Sequence, residues 1–214
     1  RGPNVPEGTR ILRNLAYVPD GHERQKLDLY LPGQKEGDNP VPLIVWVHGG
    51  AWRAGSKENC RSARFLRQGY AAASINYRLS RHAIFPAQIE DCKAAIRFLR
   101  ANAGKYNIDP DRIGVWGSSA GGHLVALLGT TGNVKQFDKG PNLQVSSRVH
   151  AVCDYFGPTD LTKMSAFPST MDHDAPNSPE SQLVGGPVQE NKEACKRANP
   201  ITYVSKDDPP FLIC

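Results

Sequence analysis

Short apolar runs alternate along this chain with longer stretches whose apolar residues recur at helical spacing. The run Val-Pro-Leu-Ile-Val-Trp-Val at 41–47 is short and rich in β-formers, as a buried strand would be. Residues 27–31 alternate Leu, Asp, Leu, Tyr and Leu, which is typical of a half-buried strand. The patterns together predict strands over 15–18, 27–31, 43–47, 70–76, 112–116 and 149–156.

Helical patterns occupy the intervals between several of these strands. After Pro86, which suits a first helical turn, Ile89, Cys92, Ile96 and Leu99 recur at spacings of three and four residues. Two more helices are predicted, near 60–68 and directly after Ser119. Alternating strands and helices predict an α/β fold with a mostly parallel sheet and helices on both faces. We expect one domain over 1–214, with ligands binding at the carboxyl ends of the strands.

The stretch from Gly157 to Asp208 differs from the rest of the chain. It carries little periodicity and many Pro, Ser and Asn residues. Such long stretches without clear structure are usually functional or mobile. We interpret 157–208 as a small lid-like insertion over the binding site rather than a second domain.

The residues most indicative of chemistry are Gly117-Ser118-Ser119-Ala120-Gly121, a G-x-S-x-G motif. An apolar strand pattern precedes the motif and a helical one follows, which is the strand-turn-helix context of a nucleophile elbow. Small residues at 117 and 121 permit the strained turn. The pattern predicts that the Ser119 hydroxyl stands above the sheet edge, where it can attack a substrate carbonyl.

A second glycine-rich motif, His48-Gly49-Gly50-Ala51-Trp52, follows the strand at 43–47. Backbone N–H groups in such a loop can stabilise the negative charge that acyl transfer places on the carbonyl oxygen. An ordinary strand-to-loop turn is the other interpretation. The serine motif favours the catalytic one.

HGGAW, SINYRLS and GSSAGGHL together resemble the α/β-hydrolase carboxylesterases of the hormone-sensitive-lipase and acetyl/feruloyl-esterase kind. The resemblance runs from about Leu27 to the end of the sequence. It implies that Ser119 is the nucleophile and that the N–H groups of Gly50, Ala51 and Ala120 form the oxyanion hole. The family often has a third glycine where this chain has Ala51, which affects room near the acyl group but leaves the donor.

A serine nucleophile also needs a base and an orienting carboxylate, in the chain order Ser, acid, His. The resemblance implies that both follow residue 214, so we expect the sequence to be a fragment lacking the final strand and helices. Asp160 and His173 are the weak internal candidates. For Asp160, capping the next helical turn is the alternative, and nothing around His173 resembles the family's catalytic segment.

Other polar and aromatic residues near these motifs have alternative interpretations. Trp52 and His82 are possible substrate-pocket residues, although packing and a surface position explain them equally well. We expect His48 to anchor its own loop, and Tyr77 to brace that loop by hydrogen bonding. His123 is expected to serve helix packing or a hydrogen bond.

Composition narrows the function further. The net charge is +5, but no basic motif interleaved with aromatic residues accompanies it, so nucleic acid is not an expected partner. No apolar run is long enough to span a membrane, and the cysteine spacing does not suit zinc. The sequence therefore implies no cofactor and no metal, and it leaves the oligomeric state open.

The chain contains five cysteines, at positions 60, 92, 153, 195 and 214. We predict the disulfides Cys60–Cys92 and Cys153–Cys195, with buried free thiols as the alternative. Disulfides would suit a secreted or periplasmic enzyme.

The leading hypothesis is a serine esterase for short acyl groups, including acetyl or feruloyl groups on polysaccharide. We expect a shallow acyl pocket because no large apolar cap is visible. An arylformamidase-type amide hydrolase has similar motifs and is the nearest alternative. A third possibility is an inactive α/β-hydrolase-fold binding module, against which the retained Ser119 argues.

Overall fold

A computed structural model describes residues 2–35 and 37–214 of the chain. The described strands are β1 (Arg10–Ala16), β2 (Lys26–Leu31), β3 (Val41–Val47), β4 (Ala71–Ile75), β5 (Ile108–Ser118), β6 (Ala151–Tyr155) and β7 (Phe211–Ile213). They form one sheet in the order β1-β2-β4-β3-β5-β6-β7. Strand β2 is antiparallel to both of its neighbours, and the other adjacent pairs are parallel. The predicted α/β fold with a mostly parallel sheet is confirmed.

Helices cover both faces of this sheet. They are α1 (Ala87–Ala101), α2 (Ala103–Tyr106), α3 (Ala120–Thr130), α4 (Pro179–Val184) and α5 (Lys192–Ala198), with 3₁₀ helices at Arg61–Gln68, Lys135–Phe137, Leu161–Ala166 and Pro200–Tyr203. None of the helices in the described part of the chain is long and apolar enough to cross a membrane.

The parallel register brings the carboxyl ends of the central strands together. Val47, the last residue of β3, pairs with Ile75 at the end of β4 and with Gly117 near the end of β5. Ser118 in turn pairs with Tyr155, the last residue of β6. The loops that follow these four strands therefore leave the sheet at one edge, which we call the carboxyl edge.

Alternate side chains of the strands enter two separate cores. Leu43, Val45 and Val47 of β3 belong to a large core that also contains residues of α1 and α3. Ile44 and Trp46 point to the other face, where a smaller cluster packs beneath the 3₁₀ helix Arg61–Gln68. This period of two is the expected consequence of a pleated strand with both faces covered.

The predicted disulfides are wrong, because all five cysteines are free. Cys60 packs in the small core while Cys92 is buried in the large one, so the sheet lies between their sulfur atoms. Cys153 and Cys195 are separated in the same way, since Cys153 packs on the small core and Cys195 belongs to the large one. A disulfide requires Cα atoms within about 7 Å and side chains that converge.

The first strand also differs from its prediction over 15–18. Strand β1 spans Arg10–Ala16 and pairs with β2 through a register shift between Leu12 and Leu15. Asn14, inside this irregularity, has a φ of 57°. The bulge interrupts the alternation of apolar residues, which hid the first half of the strand from the sequence pattern.

The stretch 157–208 is not without structure, which corrects the interpretation of its sequence pattern. It contains the helices α4 and α5 and two 3₁₀ helices. Six of its side chains are buried in the large core, namely Leu161, Leu183, Val184, Val188, Cys195 and Ala198. Much of the segment is therefore part of the folded body. Its function as a lid stays a prediction.

Candidate active site

Ser119 lies at a sharp turn between β5 and α3. Its φ and ψ are 55° and −125°, a conformation that non-glycine residues rarely adopt. Its N–H donates to the Tyr155 carbonyl at 2.9 Å, and its own carbonyl accepts from the His123 N–H at 3.0 Å. The turn is therefore held from β6 on one side and from α3 on the other.

Two glycines make this turn possible. A Cβ atom on Gly117 would collide with the Gly121 carbonyl, and a Cβ atom on Gly121 would collide with the Val47 carbonyl. Helix α3 thus begins directly against the end of β3. The G-x-S-x-G spacing has the steric origin that the sequence predicted.

The loop after β3 runs beside the serine. A Cβ atom built on Gly49 would lie 3.4 Å from the Ser119 Cβ. Gly50, Ala51 and Trp52 follow with φ values of 108°, 54° and 55°. Among the described residues, no hydrogen bond uses the N–H groups of Gly50, Ala51 or Ala120. These three donors are available to a ligand, and Ala120 stands in the first turn of α3, where N–H groups have no helical partner.

His48 anchors this loop, as predicted. Its Nδ1 lies 2.7 Å from the Gly49 carbonyl and its Nε2 lies 3.2 Å from Nη2 of Arg24. The ring stacks on Tyr77 with centroids 4.4 Å apart, and the Tyr77 hydroxyl donates to the His48 carbonyl at 3.0 Å. Burial lowers the pKa of His48 to about 4, so the ring is neutral at pH 7.

His123 and Trp52 form a second buried link behind the site. Trp52 Nε1 donates to His123 Nδ1 at 3.2 Å, and His123 Nε2 lies 2.6 Å from the Ala198 carbonyl. Burial lowers the pKa of His123 to about 4. The hydrogen-bonding role predicted for His123 is confirmed. Trp52 is only 2% exposed and belongs to the large core. A role for Trp52 in the substrate pocket stays a prediction.

Asp160 and His173, the two internal candidates for the acid and the base of the triad, form hydrogen bonds with residues of their own segment, 157–208. The Asp160 carboxylate accepts from the Thr162 N–H at 3.1 Å and from its hydroxyl at 2.7 Å, and so caps the following 3₁₀ helix. This is the alternative role that the sequence allowed, and the assignment of Asp160 as a triad acid stays a prediction. His173 has Nδ1 3.1 Å from Glu180 Oε1 and Nε2 3.2 Å from Ser169 Oγ.

His82 lies on the loop after β4, close to the loop that contains Gly50. The connection is made by Ser80, whose N–H donates to the Trp52 carbonyl at 2.9 Å. Contact between His82 and a substrate stays a prediction. His82 also groups with His22 and Glu23, whose potential ligand atoms lie within 4.8 Å of one another. Partial burial, His22, Arg81 and Arg24 all lower the pKa of His82. Such cationic surroundings disfavour a bound metal ion, so we assign none.

Two site residues escaped the sequence analysis. Arg24 precedes every motif, yet its guanidinium also donates to the carbonyls of Gly55 and Tyr77, at 2.9 and 2.8 Å. Asp154 is 3% exposed and accepts from the Gly157 N–H at 2.9 Å, and burial raises its pKa. The signal for Asp154 was a charged residue near the end of an apolar strand. Arg24 gave no local signal.

The sheet order, the helix placement and the serine turn define an α/β-hydrolase fold. The BD-FAE family model matches residues 27–214, and the chain belongs to this family. A solved structure described as a truncated form of carbohydrate esterase from gut microbiota is 40% identical, with a TM-score of 0.88. That similarity covers all of this chain and 79% of the other.

Curated relatives give the same family assignment. Esterase LipQ of Mycobacterium tuberculosis is 31% identical over an alignment of 223 residues, gaps included. The alignment covers 94% of this chain and 51% of that protein. Esterase LipC of the same organism is 35% identical over 177 residues, covering 81% of this chain and 43% of that protein. The chain thus spans about half the length of the curated relatives it matches.

Proposed function

We propose that the protein is a serine carboxylic-ester hydrolase that removes short acyl groups from carbohydrate. The observation that carries the proposal is the strained turn at Ser119, with the backbone of Gly49 packed against it. Strain of this kind persists only where the surrounding structure enforces it, and it concentrates at functional sites.

In the proposed mechanism, Ser119 Oγ attacks the ester carbonyl while a base removes its proton. The carbonyl oxygen becomes negatively charged and accepts hydrogen bonds from the N–H groups of Gly50, Ala51 and Ala120. One such donor is worth roughly 2.7–4 kcal/mol in the transition state. The carbon–oxygen bond then breaks, the alcohol leaves with a proton, and water hydrolyses the acyl-enzyme in a second, equivalent step.

His48 and His123 are poor candidates for the base. Both rings are buried, both have hydrogen-bond partners at each nitrogen, and both have pKa values near 4. A general base works best when its pKa lies near the operating pH. We therefore propose that they position the loop and α3 and take no proton from Ser119.

The carbohydrate part of the proposal is supported by similarity. Besides the carbohydrate esterase described above, a bifunctional GH43-CE protein of Bacteroides eggerthii is 40% identical, with a TM-score of 0.84. The similarity covers 95% of this chain and 30% of that one. A polymeric substrate would suit an exported enzyme. The disulfides that would have supported export are not formed, because all five cysteines are free. Export nevertheless stays part of the proposal.

A fluorophosphonate probe tests the serine assignment in the full-length protein. We expect a single covalent adduct on Ser119, located by mass spectrometry, and its loss in Ser119→Ala. Ser118→Ala is the matched control, because Ser118 is the neighbouring hydroxyl and ends β5. An adduct elsewhere, or none, would refute the nucleophile. Turnover of N-formylkynurenine in preference to acetyl esters would favour the amide-hydrolase alternative.

A further inference from the structure

Arg24 lies in the connection between β1 and β2, and its side chain reaches the loop that follows β3. Its Nη2 lies 3.2 Å from His48 Nε2 and donates to the Gly55 carbonyl at 2.9 Å. Its Nε donates to the Tyr77 carbonyl at 2.8 Å. In the described part of the chain, the side-chain partners of Arg24 are uncharged acceptors. The guanidinium is thus held against the loop by groups that do not neutralise its charge.

The partners of the His48 ring define which of its two nitrogens carries a proton. A guanidinium has donors but no acceptor, so His48 Nε2 must accept from Arg24. The Gly49 carbonyl, whose oxygen lies 2.7 Å from Nδ1, can only accept, so Nδ1 must donate to it. The pKa of about 4 leaves the ring neutral at pH 7, with one proton. That proton therefore lies on Nδ1.

The hydrogen bond from His48 to the Gly49 carbonyl also sets the direction of the next N–H group. The peptide bond between Gly49 and Gly50 is trans, since the cis peptide found among the described residues is Phe85–Pro86. In a planar trans peptide the C=O and the N–H point in opposite directions. The Gly50 N–H therefore points away from the His48 ring, and it is one of the three donors available beside Ser119.

Without Arg24, the other tautomer of His48 would become accessible. A proton on Nε2 would no longer face a cation, and Nδ1 would present a lone pair to the Gly49 carbonyl oxygen. Two acceptors at 2.7 Å repel each other, so the peptide would turn and its N–H would lose its direction. The ring has little room to move instead, because it stacks on Tyr77 and a Cβ atom on Gly55 would collide with its Nδ1.

We infer that Arg24 is a positioning residue of the active site, which fixes the His48 tautomer and thereby aims the Gly50 N–H at the carbonyl oxygen of the substrate. This inference rests on the proposed function. Hydrogen bonds in a chain polarise one another, so the positive charge of Arg24 also strengthens the Gly50 donor towards a negatively charged oxygen. Arg24 acts through His48 and not through contact with the substrate.

Steady-state kinetics on 4-nitrophenyl acetate test the inference in the full-length protein. The substitution Arg24→Met keeps an apolar stem and removes every donor of the side chain. We expect kcat to fall about tenfold or more, towards the roughly 100-fold that loss of a whole oxyanion donor costs, with KM nearly unchanged.

Arg100→Met is the matched control for this substitution. The Arg100 guanidinium also donates to backbone carbonyls, those of Pro110, Ser146 and Arg148, but it does so near the amino ends of β5 and β6. The control should lower the stability of the protein and leave kcat as it is. An equal fall in kcat for the two variants would overturn the inference, because kcat would then follow stability alone.

A second pair of variants tests whether Arg24 acts through His48. In His48→Asn the side-chain amide can still donate to the Gly49 carbonyl, but no atom remains at the position of Nε2. Adding Arg24→Met to this variant should therefore change kcat by less than about twofold, because the two residues act as one unit. An equal loss of kcat in both backgrounds would overturn the inference, as would an unchanged kcat in Arg24→Met alone.

Nitrogen-15 NMR of the histidine rings measures the tautomer without any assay of activity. In the wild type we expect His48 to show a protonated Nδ1 and a bare Nε2, and in Arg24→Met a shift towards the other tautomer. A proton on Nε2 in the wild type, or no shift in the variant, would overturn the inference. The wild-type spectrum needs no substitution, so a variant that fails to fold leaves this test in place. A wild type that hydrolyses no ester would refute the proposed function instead, while the spectra would still decide whether Arg24 sets the His48 tautomer.

Discussion

The elbow region, meaning 117–121 together with the loop 48–52, differs from the segment 157–208 in where its contacts come from. The elbow region is held by residues distant in sequence, such as Tyr77 on the His48 carbonyl and Tyr155 on the Ser119 N–H. In the segment, most side-chain hydrogen bonds join near neighbours, for example Asp160 with Thr162 and Ser178 with Ser181.

The two regions also differ in how tightly they pack. In the elbow region a single added carbon atom would meet backbone on several sides. In the segment, Phe167 and Met171 are 71% and 46% exposed. The positions proposed to carry the chemistry are thus held by several backbone contacts within the sheet, whereas the segment combines a few core residues with a loosely packed surface. Substitutions should therefore have large effects in the first region and small ones on the surface of the second.

The largest effect is expected for Gly121→Ala. The new Cβ atom would collide with the carbonyls of Val47 and His48, which belong to the backbone and cannot rotate away. Separating α3 from β3 displaces Ser119 from the loop 48–52, and a misplacement of about 1 Å can cost roughly 100-fold in rate. We expect kcat/KM for 4-nitrophenyl acetate to fall at least that far. Overpacking should also lower the free energy of unfolding by about 1–3 kcal/mol.

Gly104→Ala is the matched control for this substitution. Gly104 lies in α2, and a Cβ atom there would have nothing within 4 Å. Alanine is favoured over glycine in helices by about 1 kcal/mol, so the control should be neutral or slightly stabilising. Equal behaviour of the two variants would contradict the packing argument for the elbow region.

The sequence predicts features that depend on contiguous residues better than features that depend on partners distant along the chain. Local patterns sufficed for the elbow, since the apolar run, the two glycines and the helical composition are contiguous. Local patterns failed for Cys60 and Cys92, which lie on opposite faces of the sheet. The face that a residue occupies depends on the path of the intervening chain, which local patterns do not contain. They also failed for Arg24, whose partners His48, Gly55 and Tyr77 come from elements that meet only in the folded sheet.

The second prediction concerns His123, which links the two regions by bonding Trp52 on one side and Ala198 on the other. Its pKa is about 4 in the folded protein, below the unfolded value of about 6.5. The unfolded chain therefore takes up the proton first, and stability present above pH 6.5 is lost as the pH falls towards 4. The loss amounts to about 3 kcal/mol, and the neutral His48 adds a similar contribution.

The substitution His123→Gln removes one of the two groups that take up a proton when the chain unfolds at low pH. The variant should be less stable than the wild type at pH 7, and the difference should shrink as the pH approaches 4.5. Urea unfolding at several pH values measures both. Parallel stability curves for the two proteins would show that His123 is not held neutral by burial.

A smaller effect is expected for Tyr77→Phe, which tests how a residue just after β4 supports the loop 48–52. The substitution removes the hydroxyl that donates to the buried His48 carbonyl but keeps the stacked ring. Leaving a buried acceptor unsatisfied costs about 1–3 kcal/mol. We expect a matching decrease in stability by urea unfolding. We also expect a lower kcat and little change in KM, because the N–H donors proposed for this loop would act on the transition state more than on substrate binding. An unchanged kcat would show that the hydrogen bond from Tyr77 to the His48 carbonyl does not affect catalysis.

The smallest effect is expected in the segment, for Asp160→Asn. Asparagine caps a helix about as well as aspartate, so the bonds to Thr162 should persist and stability should change by less than about 0.5 kcal/mol. If Asp160 only caps its 3₁₀ helix, the esterase rate of the full-length protein should stay within about twofold of the wild type, in line with substitutions away from special features. A triad acid behaves otherwise, since the same change there lowers kcat by about 10⁴ in a serine protease. A loss of that size, without a loss of stability, would show that Asp160 acts as the triad acid. The segment 157–208 would then contribute to the active site together with the elbow region.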